Sequence, residues 1–164
     1  MGTALVNHPN ELDLSRVNRQ LHGHDPTAIV RWSVKRFGDG LALTSSFGAH
    51  SAVMLDLITR VVPDIPVIFI DTGFLFPETY CFADALTDRF GLNLKVYQSP
   101  LSPARMVARF GSLWEQGVDG LNRYDQIRKI EPMQRALREL KVTAWLAGLR
   151  HEQTPHRQQL GVVD

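Results

Sequence analysis

The segment Thr44-Ser45-Ser46-Phe47-Gly48-Ala49-His50-Ser51 sets two hydroxyl side chains and a glycine directly ahead of an apolar helical run. Backbone N–H groups left free at a helix start, joined by hydroxyls and by a glycine that permits close approach, form an anion cradle. A capped strand-to-helix turn uses the same residue types, so this loop leaves phosphate or sulfate binding and plain turn-making both open. A second polar stretch is Asp71-Thr72-Gly73. Its carboxylate offers an acceptor to a nucleotide, or the tripeptide merely turns the chain. The following Phe74-Leu75-Phe76 reads as core rather than as a stacking surface, and Glu78 suits the positive end of a helix dipole. A third loop runs from Gly148 to Arg157 and carries Arg150 and Arg157. Guanidinium groups grip multiply charged anions bidentately, with surface ion pairs as the plain alternative. Lys129, beside Arg128, points either at an anion or into solvent. Together these loops imply an anionic nucleotide without naming it.

The elements that must position these loops alternate in one rhythm. Leu41–Ser45 reads as a buried strand, and Val67–Ile70, Leu94–Tyr97 and Thr143–Ala147 read as three further strands. Between them, Ala49–Val62, Pro77–Phe90, Pro103–Phe110 and Glu131–Leu140 read as helices, with Ser102 as a cap, Gly91 as a stop and Pro132 tolerated in a first turn. Upstream, residues 1–10 form a loose lead-in and Glu11–Leu21 has helical spacing. Asp25-Pro26 starts a further helix that Gly38 closes. Strands separated by helices require parallel crossovers, and apolar strands require cover on both faces. The expected class is therefore α/β, a doubly wound, mainly parallel sheet. Ligands of such sheets sit beyond the carboxyl ends of the strands, where all three polar loops fall. Gly111–Lys129, rich in glycine and poor in periodicity, is expected to be an irregular lid or binding loop.

Bulk properties narrow the partners. The chain has 164 residues, 44% apolar, with 18 Lys plus Arg against 17 acids. That charge balance gives no field for coating nucleic acid. No stretch approaches the ~18 apolar residues of a membrane span, and no signal core opens the chain, so a cytoplasmic protein is expected. Cys81 is the chain's one cysteine, which excludes a disulfide framework, a Cys-x-x-Cys pair and a cysteine-ligated iron–sulfur cluster within this sequence. Cys81 lies in a helical run and is expected to be a buried small hydrophobe. The histidines lack metal spacing; His22-x-His24 alone offers too few ligands.

Several separated motifs, in order from about Leu41 to Arg157, resemble assimilatory phosphoadenylyl-sulfate (PAPS) reductases. They are Ser45-Ser46-Phe47-Gly48, the run Asp64 to Tyr80, Asn93-Leu94-Lys95-Val96-Tyr97, Leu113-Trp114-Glu115-Gln116-Gly117-Val118, Lys129-Ile130-Glu131-Pro132-Met133 and Gly148-Leu149-Arg150. The resemblance implies the Rossmann-like fold of the PP-loop adenine nucleotide hydrolases. ATP-using relatives carry Ser-Gly-Gly-x-Asp-Ser in the first loop; here Phe47 replaces a glycine and His50 stands in place of the aspartate. That departure disfavours the alternative of an ATP pyrophosphatase or ATP sulfurylase small-subunit-like transferase. Adenylyl-sulfate reductases carry a cluster-binding Cys-Cys pair where this chain has Tyr124-Asp125, which points to the PAPS-using branch without an iron–sulfur cluster.

The resemblance implies a substrate site of Ser45, Ser46, Gly48, Asp71, Thr72, Gly73, Lys129, Gly148, Arg150 and Arg157. It also implies thioredoxin or glutaredoxin as reductant and a homodimer, with neither metal nor other cofactor. Its chemistry is attack of a cysteine thiolate on the sulfate sulfur, releasing adenosine 3′,5′-bisphosphate and then sulfite. The family's nucleophile lies in a C-terminal Glu-Cys-Gly-Leu-His motif that this sequence lacks. The expectation is one nucleotide-binding domain over 1–164 (a helical lead-in 1–38, an α/β core 39–160), C-terminally truncated and inactive alone, with a non-catalytic remnant as the further alternative.

Overall fold

The computed structural model describes residues 12–148 and 161–164. The chain divides into two compact units, Met1–Ile29 with Leu149–Asp164, and Val30–Gly148. In the described part of the first unit, helix α1 (Leu14–Leu21) starts where Asp13 accepts a hydrogen bond from the Arg16 N–H at 3.0 Å. The Asn18 side chain pairs with the backbone of Val163, donating at 2.7 Å and accepting at 2.8 Å. Helix α2 (Pro26–Phe37) begins in this unit, where Asp25 accepts from the Thr27 N–H at 2.9 Å.

The second unit holds the sheet. Its elements after α2 are β1 (Leu41–Thr44), α3 (Ser51–Thr59), β2 (Pro66–Asp71), α4 (Pro77–Phe90), β3 (Asn93–Gln98), α5 (Pro103–Phe110), α6 (Gly117–Asp125), α7 (Glu131–Glu139) and β4 (Ala144–Ala147). Every strand pairing is parallel and the order is β3-β2-β1-β4. The chain moves outward from β1 to β3, then crosses back to the other side of β1. That reversal puts the topological switch point between β1 and β4.

Successive strand residues point to opposite faces, and the core follows that period of two. Leu41, Leu43, Val67 and Phe69 bury one face against Val30 of α2, Leu55 and Ile58 of α3, and Ala83 and Leu86 of α4. Ala42 and Ile68 bury the other against Ala136 of α7, with Met133 and Leu137 packed around them. Helices thus cover both faces, as the apolar strands require.

Local signals account for most boundaries. Gly91 takes the left-handed conformation (φ 60°) that ends α4, and Ser102 caps α5 by accepting from the Arg105 N–H at 3.3 Å. Helix α3 is shorter than the expected Ala49–Val62. Its start is displaced because the Gly48 carbonyl takes the Ser51 N–H at 2.8 Å in a turn, and Pro63 disfavours helix at Val62.

Two expectations are corrected. Gly111–Lys129 is not an irregular loop: it contains a 3-10 turn (Leu113–Glu115), α6 and the start of a π-helical turn (Gln126–Ile130). Its periodicity is faint because Gly120 sits inside α6, where a Cβ would meet the Leu113 carbonyl oxygen and lie 2.7 Å from Gln116 Cβ. The glycine, costly in a helix by about 1 kcal/mol, lets the 3-10 turn pack against α6. Cys81 is exposed, not buried. The buried side of α4 is defined by Ala83 and Leu86; Cys81 precedes Ala83 by two residues and so faces away. No helix among the described residues is long and apolar enough to cross a membrane.

Candidate functional site

The carboxyl ends of β1 and β2 lie side by side, so the two polar loops that follow them are neighbours. After β1, the Ser45 N–H donates to the Ile68 carbonyl at 3.0 Å, extending the ladder by one residue. The Ser45 hydroxyl then accepts from the Phe47 N–H at 3.1 Å. Phe47 adopts a left-handed backbone (φ 50°), which a bulky side chain tolerates only when packing holds it. Here the ring is buried edge-to-face on Phe69, centroids 4.9 Å apart. Driving Phe47 inward leaves Ser46 and Gly48 exposed at the loop's outer surface. The Ser51 hydroxyl, at the first turn of α3, is buried without a hydrogen-bond partner among the described residues.

The loop after β2 is organised by one carboxylate. Asp71 is buried, and its Oδ1 accepts from the Gly73 N–H at 2.7 Å and from the Tyr80 hydroxyl at 2.7 Å. Its Oδ2 accepts a short hydrogen bond from the Gln98 side-chain amide. With three protein donors in place, Asp71 shapes the loop around it. Burial first, then this hydrogen bond, push the Tyr80 phenol up to about 12, so it stays a donor at neutral pH. Gly73 is left-handed (φ 74°), and a Cβ there would stand 2.5 Å from Pro103 Cγ. Beyond Asp71 a polar seam continues: the Gln98 carbonyl accepts from Arg135 Nη2 at 2.5 Å, and Arg135 Nε donates to Glu131 at 3.0 Å.

The π-helical turn Gln126–Ile130 packs against β2 and sorts two adjacent cations to opposite fates. Arg128 is 1% exposed, the largest fully buried side chain of the described residues. Its Nε donates to Met106 Sδ at 3.4 Å, its guanidinium lies 5.4 Å over the Phe74 ring, and Nη2 has no hydrogen-bond partner among the described residues. Burial holds it below its usual range, while Tyr124 and Asp71 pull in the opposite direction. Lys129 points outward, and its ammonium meets Asp125 Oδ1 at 2.7 Å with the side chains 55% and 45% exposed. A π turn carries one extra residue and recurs at functional sites.

Lys129 and Asp125 stand at an open cavity of about 490 Å³ whose other lining residues are Phe74, Trp114, Leu121 and Tyr124. Phe74 meets Trp114 edge-on with centroids 5.4 Å apart, and Trp114 meets Tyr124 edge-on at 6.3 Å. The Lys129 ammonium lies 5.7 Å from the Tyr124 ring centre. This cavity corrects the reading of Phe74-Leu75-Phe76 as core. Phe74 and Phe76 are 40% and 77% exposed, and only Leu75 joins the core. A loop has no period from which a side could be read.

Of the residues expected at the site, Ser45, Ser46, Gly48, Asp71, Thr72 and Gly73 lie in the two adjacent strand-end loops. Gly148 follows β4, which pairs with β1, and a Cβ on it would stand 2.9 Å from Met54 Cγ. Lys129 lies in the turn packed on β2. Arg150 and Arg157 fall outside the described residues. The cavity residues Trp114, Leu121, Tyr124 and Asp125 were not among the substrate-site residues expected from sequence, although Trp114 and the Tyr124-Asp125 pair belong to the motifs that carry the resemblance. Among the described residues no group of histidine, cysteine or carboxylate side chains could hold a metal ion.

Comparison with known proteins gives a concordant result. The family described as "Phosphoadenosine phosphosulfate reductase domain" matches residues 40–164. The chain is 59% identical over 155 residues to a phosphoadenosine 5′-phosphosulfate reductase of Synechocystis sp., covering 94% of this chain and 62% of that protein. It is 58% identical over 152 residues to a Synechococcus sp. protein of the same name, covering 92% and 66%. It therefore spans a little under two thirds of these curated relatives. A crystal structure of a PAPS reductase from Candida auris, in complex with phosphate, superposes with a TM-score of 0.76 at 33% identity, covering 92% of this chain and 71% of that one.

Proposed function

The chain belongs to the phosphoadenosine phosphosulfate reductase family, and from that premise we propose that it binds 3′-phosphoadenylyl sulfate for reduction to sulfite and adenosine 3′,5′-bisphosphate. The observation that carries the reading is the placement of Lys129. An ammonium held on a π turn beside the Asp71–Phe74 loop, at the carboxyl edge of a parallel sheet, suits an oxyanion arriving there.

In this reading Ser45, Ser46 and Gly48 contribute hydroxyls and backbone to the nucleotide, and Thr72 and Gly73 line its adenosine side. Asp71 fixes the loop through Gly73, Tyr80 and Gln98. Lys129, with Gly148 and the arginines Arg150 and Arg157, takes the phosphosulfate and phosphate oxygens. In the family the reaction proceeds by attack of the thiolate of the Glu-Cys-Gly-Leu-His motif on the sulfate sulfur; these 164 residues do not contain that motif, so they supply the nucleotide site and not the nucleophile. The new S–S bond forms as the bond from sulfur to the bridging phosphate oxygen breaks, and the nucleotide leaves with that electron pair. One thiolate of a thioredoxin or glutaredoxin dithiol then attacks the cysteine sulfur of the S-sulfocysteine, and sulfite departs with the electron pair of the broken S–S bond. The second thiol resolves the mixed disulfide, returning the cysteine thiol and leaving the reductant as its disulfide. Fixed cations lessen the repulsion between thiolate and sulfate and stabilise charge on the departing nucleotide. Cys81 lies exposed on α4 and is assigned no part in this step.

Tyr124 and Asp125 occupy the position of the cluster-binding cysteines in adenylyl-sulfate reductases. That favours the 3′-phosphorylated substrate, with no iron–sulfur cluster. A cytoplasmic homodimer completes the proposal. Its test is Lys129→Gln, measured by calorimetric titration with PAPS. A loss of binding of about ten-fold or more is expected for a desolvated charge-assisted contact. Unchanged affinity would remove Lys129 from the site.

A further inference from the structure

Lys129 is not a free ammonium. Its Nζ lies 2.7 Å from Asp125 Oδ1, both groups stand at the mouth of the 490 Å³ cavity, and the other walls are Phe74, Trp114, Leu121 and Tyr124. In an i, i+4 pair with the acid first, the two side chains are well disposed to meet. Both are about half exposed, so the contact is worth little to folding. Its consequence falls instead on ligands. Apolar walls concentrate the field of a nearby charge, and a carboxylate at contact distance cancels much of the attraction an arriving anion would feel.

We propose that Asp125 is a specificity-determining residue: a built-in counterion that occupies Lys129 until an oxyanion of sufficient charge displaces it. The inference rests on the reading of Lys129 as an anion-binding group. Asp125 is therefore a competitor of the ligand rather than a part of its binding surface, and removing its charge strengthens anion binding. The size of the gain follows from the strength of an exposed ion pair, roughly two- to five-fold in affinity. It shrinks as salt screens the pair, being small near 0.5 M.

Two measurements decide the matter. Inorganic sulfate is titrated into wild type and Asp125→Asn with the lysines 13C-dimethylated, the Lys129 signal being assigned by its loss in Lys129→Gln. The chain's lysines are Lys35, Lys95, Lys129 and Lys141, so the spectrum is simple. The expected result is a sulfate midpoint at Lys129 two- to five-fold lower in Asp125→Asn. An equal or higher midpoint, or no sulfate response at Lys129 in either protein, overturns the proposal. In parallel, PAPS affinities are measured for wild type, Asp125→Asn, Lys129→Gln and the double variant. The gain from Asp125→Asn should vanish in the Lys129→Gln background; a gain that persists there overturns the counterion role. If wild type binds no PAPS, the substrate assignment fails, and the sulfate midpoints still decide the role of Asp125.

Discussion

Arg128 poses an energetic question that substitution can answer. Its guanidinium is buried with one nitrogen lacking a hydrogen-bond partner among the described residues, one nitrogen on a thioether, and a ring face 5.4 Å away. A bare buried donor costs about 1–3 kcal/mol. A desolvated cation over an aromatic ring returns about 2 kcal/mol. The sulfur contact is weak, and the pull of Asp71 and Tyr124 does not outweigh burial. These terms nearly cancel, so the charge adds little to net stability while the side chain's volume adds a good deal. Arg128→Met keeps an unbranched side chain without the buried charge, and its stability should lie within about 1.5 kcal/mol of wild type. Arg128→Ala empties the site and should cost about 3–5 kcal/mol, as large-to-small core substitutions do. Urea unfolding of the three proteins, read as the midpoint at common slope, measures both differences. A loss above about 3 kcal/mol in Arg128→Met would mean instead that the charge itself, through Asp71, holds the turn in place.

Gly73→Ala should destabilise the loop after β2 by about 1–3 kcal/mol, since the left-handed backbone is strained for alanine and its Cβ would meet Pro103; urea unfolding checks it, and a neutral result would mean that Pro103 yields freely. The Tyr80 phenol is raised to about 12 from an ordinary value of 10.0. A raised folded-state value means its stabilisation is complete below pH 10 and is lost as pH climbs toward 12, because the unfolded chain gives up the proton first. Stability followed from pH 9 to 12 should therefore fall more steeply in wild type than in Tyr80→Phe, and parallel curves would contradict the shift.

Legibility from sequence followed the range of the interaction concerned. Gly91, Ser102 and Asp25-Pro26 mark helix ends through contacts within a few residues, and each stands at a helix end. The strands read correctly because residues such as Leu43, Val67 and Phe69 are buried in a covered sheet. The loops Ser45–Gly48 and Asp71–Gly73 were visible as polar runs at strand ends. What escaped depends on contacts the chain makes with itself at a distance or off the helical period. Gly120 looks like a helix breaker until the Leu113 carbonyl is placed beside it. The π turn inserts a residue that a 3.6 period cannot represent, so Arg128 buried and Lys129 exposed was not foreseeable. Phe74 and Phe76 are apolar yet exposed, which residue type alone cannot announce.

Calorimetric titration of this chain with PAPS, adenylyl sulfate and ATP under identical conditions decides which nucleotide the site takes. PAPS should bind tightest, with adenylyl sulfate weaker for want of the 3′-phosphate and ATP weaker still. A preference for ATP, or no binding of any of the three by a chain whose circular dichroism is that of the folded protein, would overturn PAPS as the substrate.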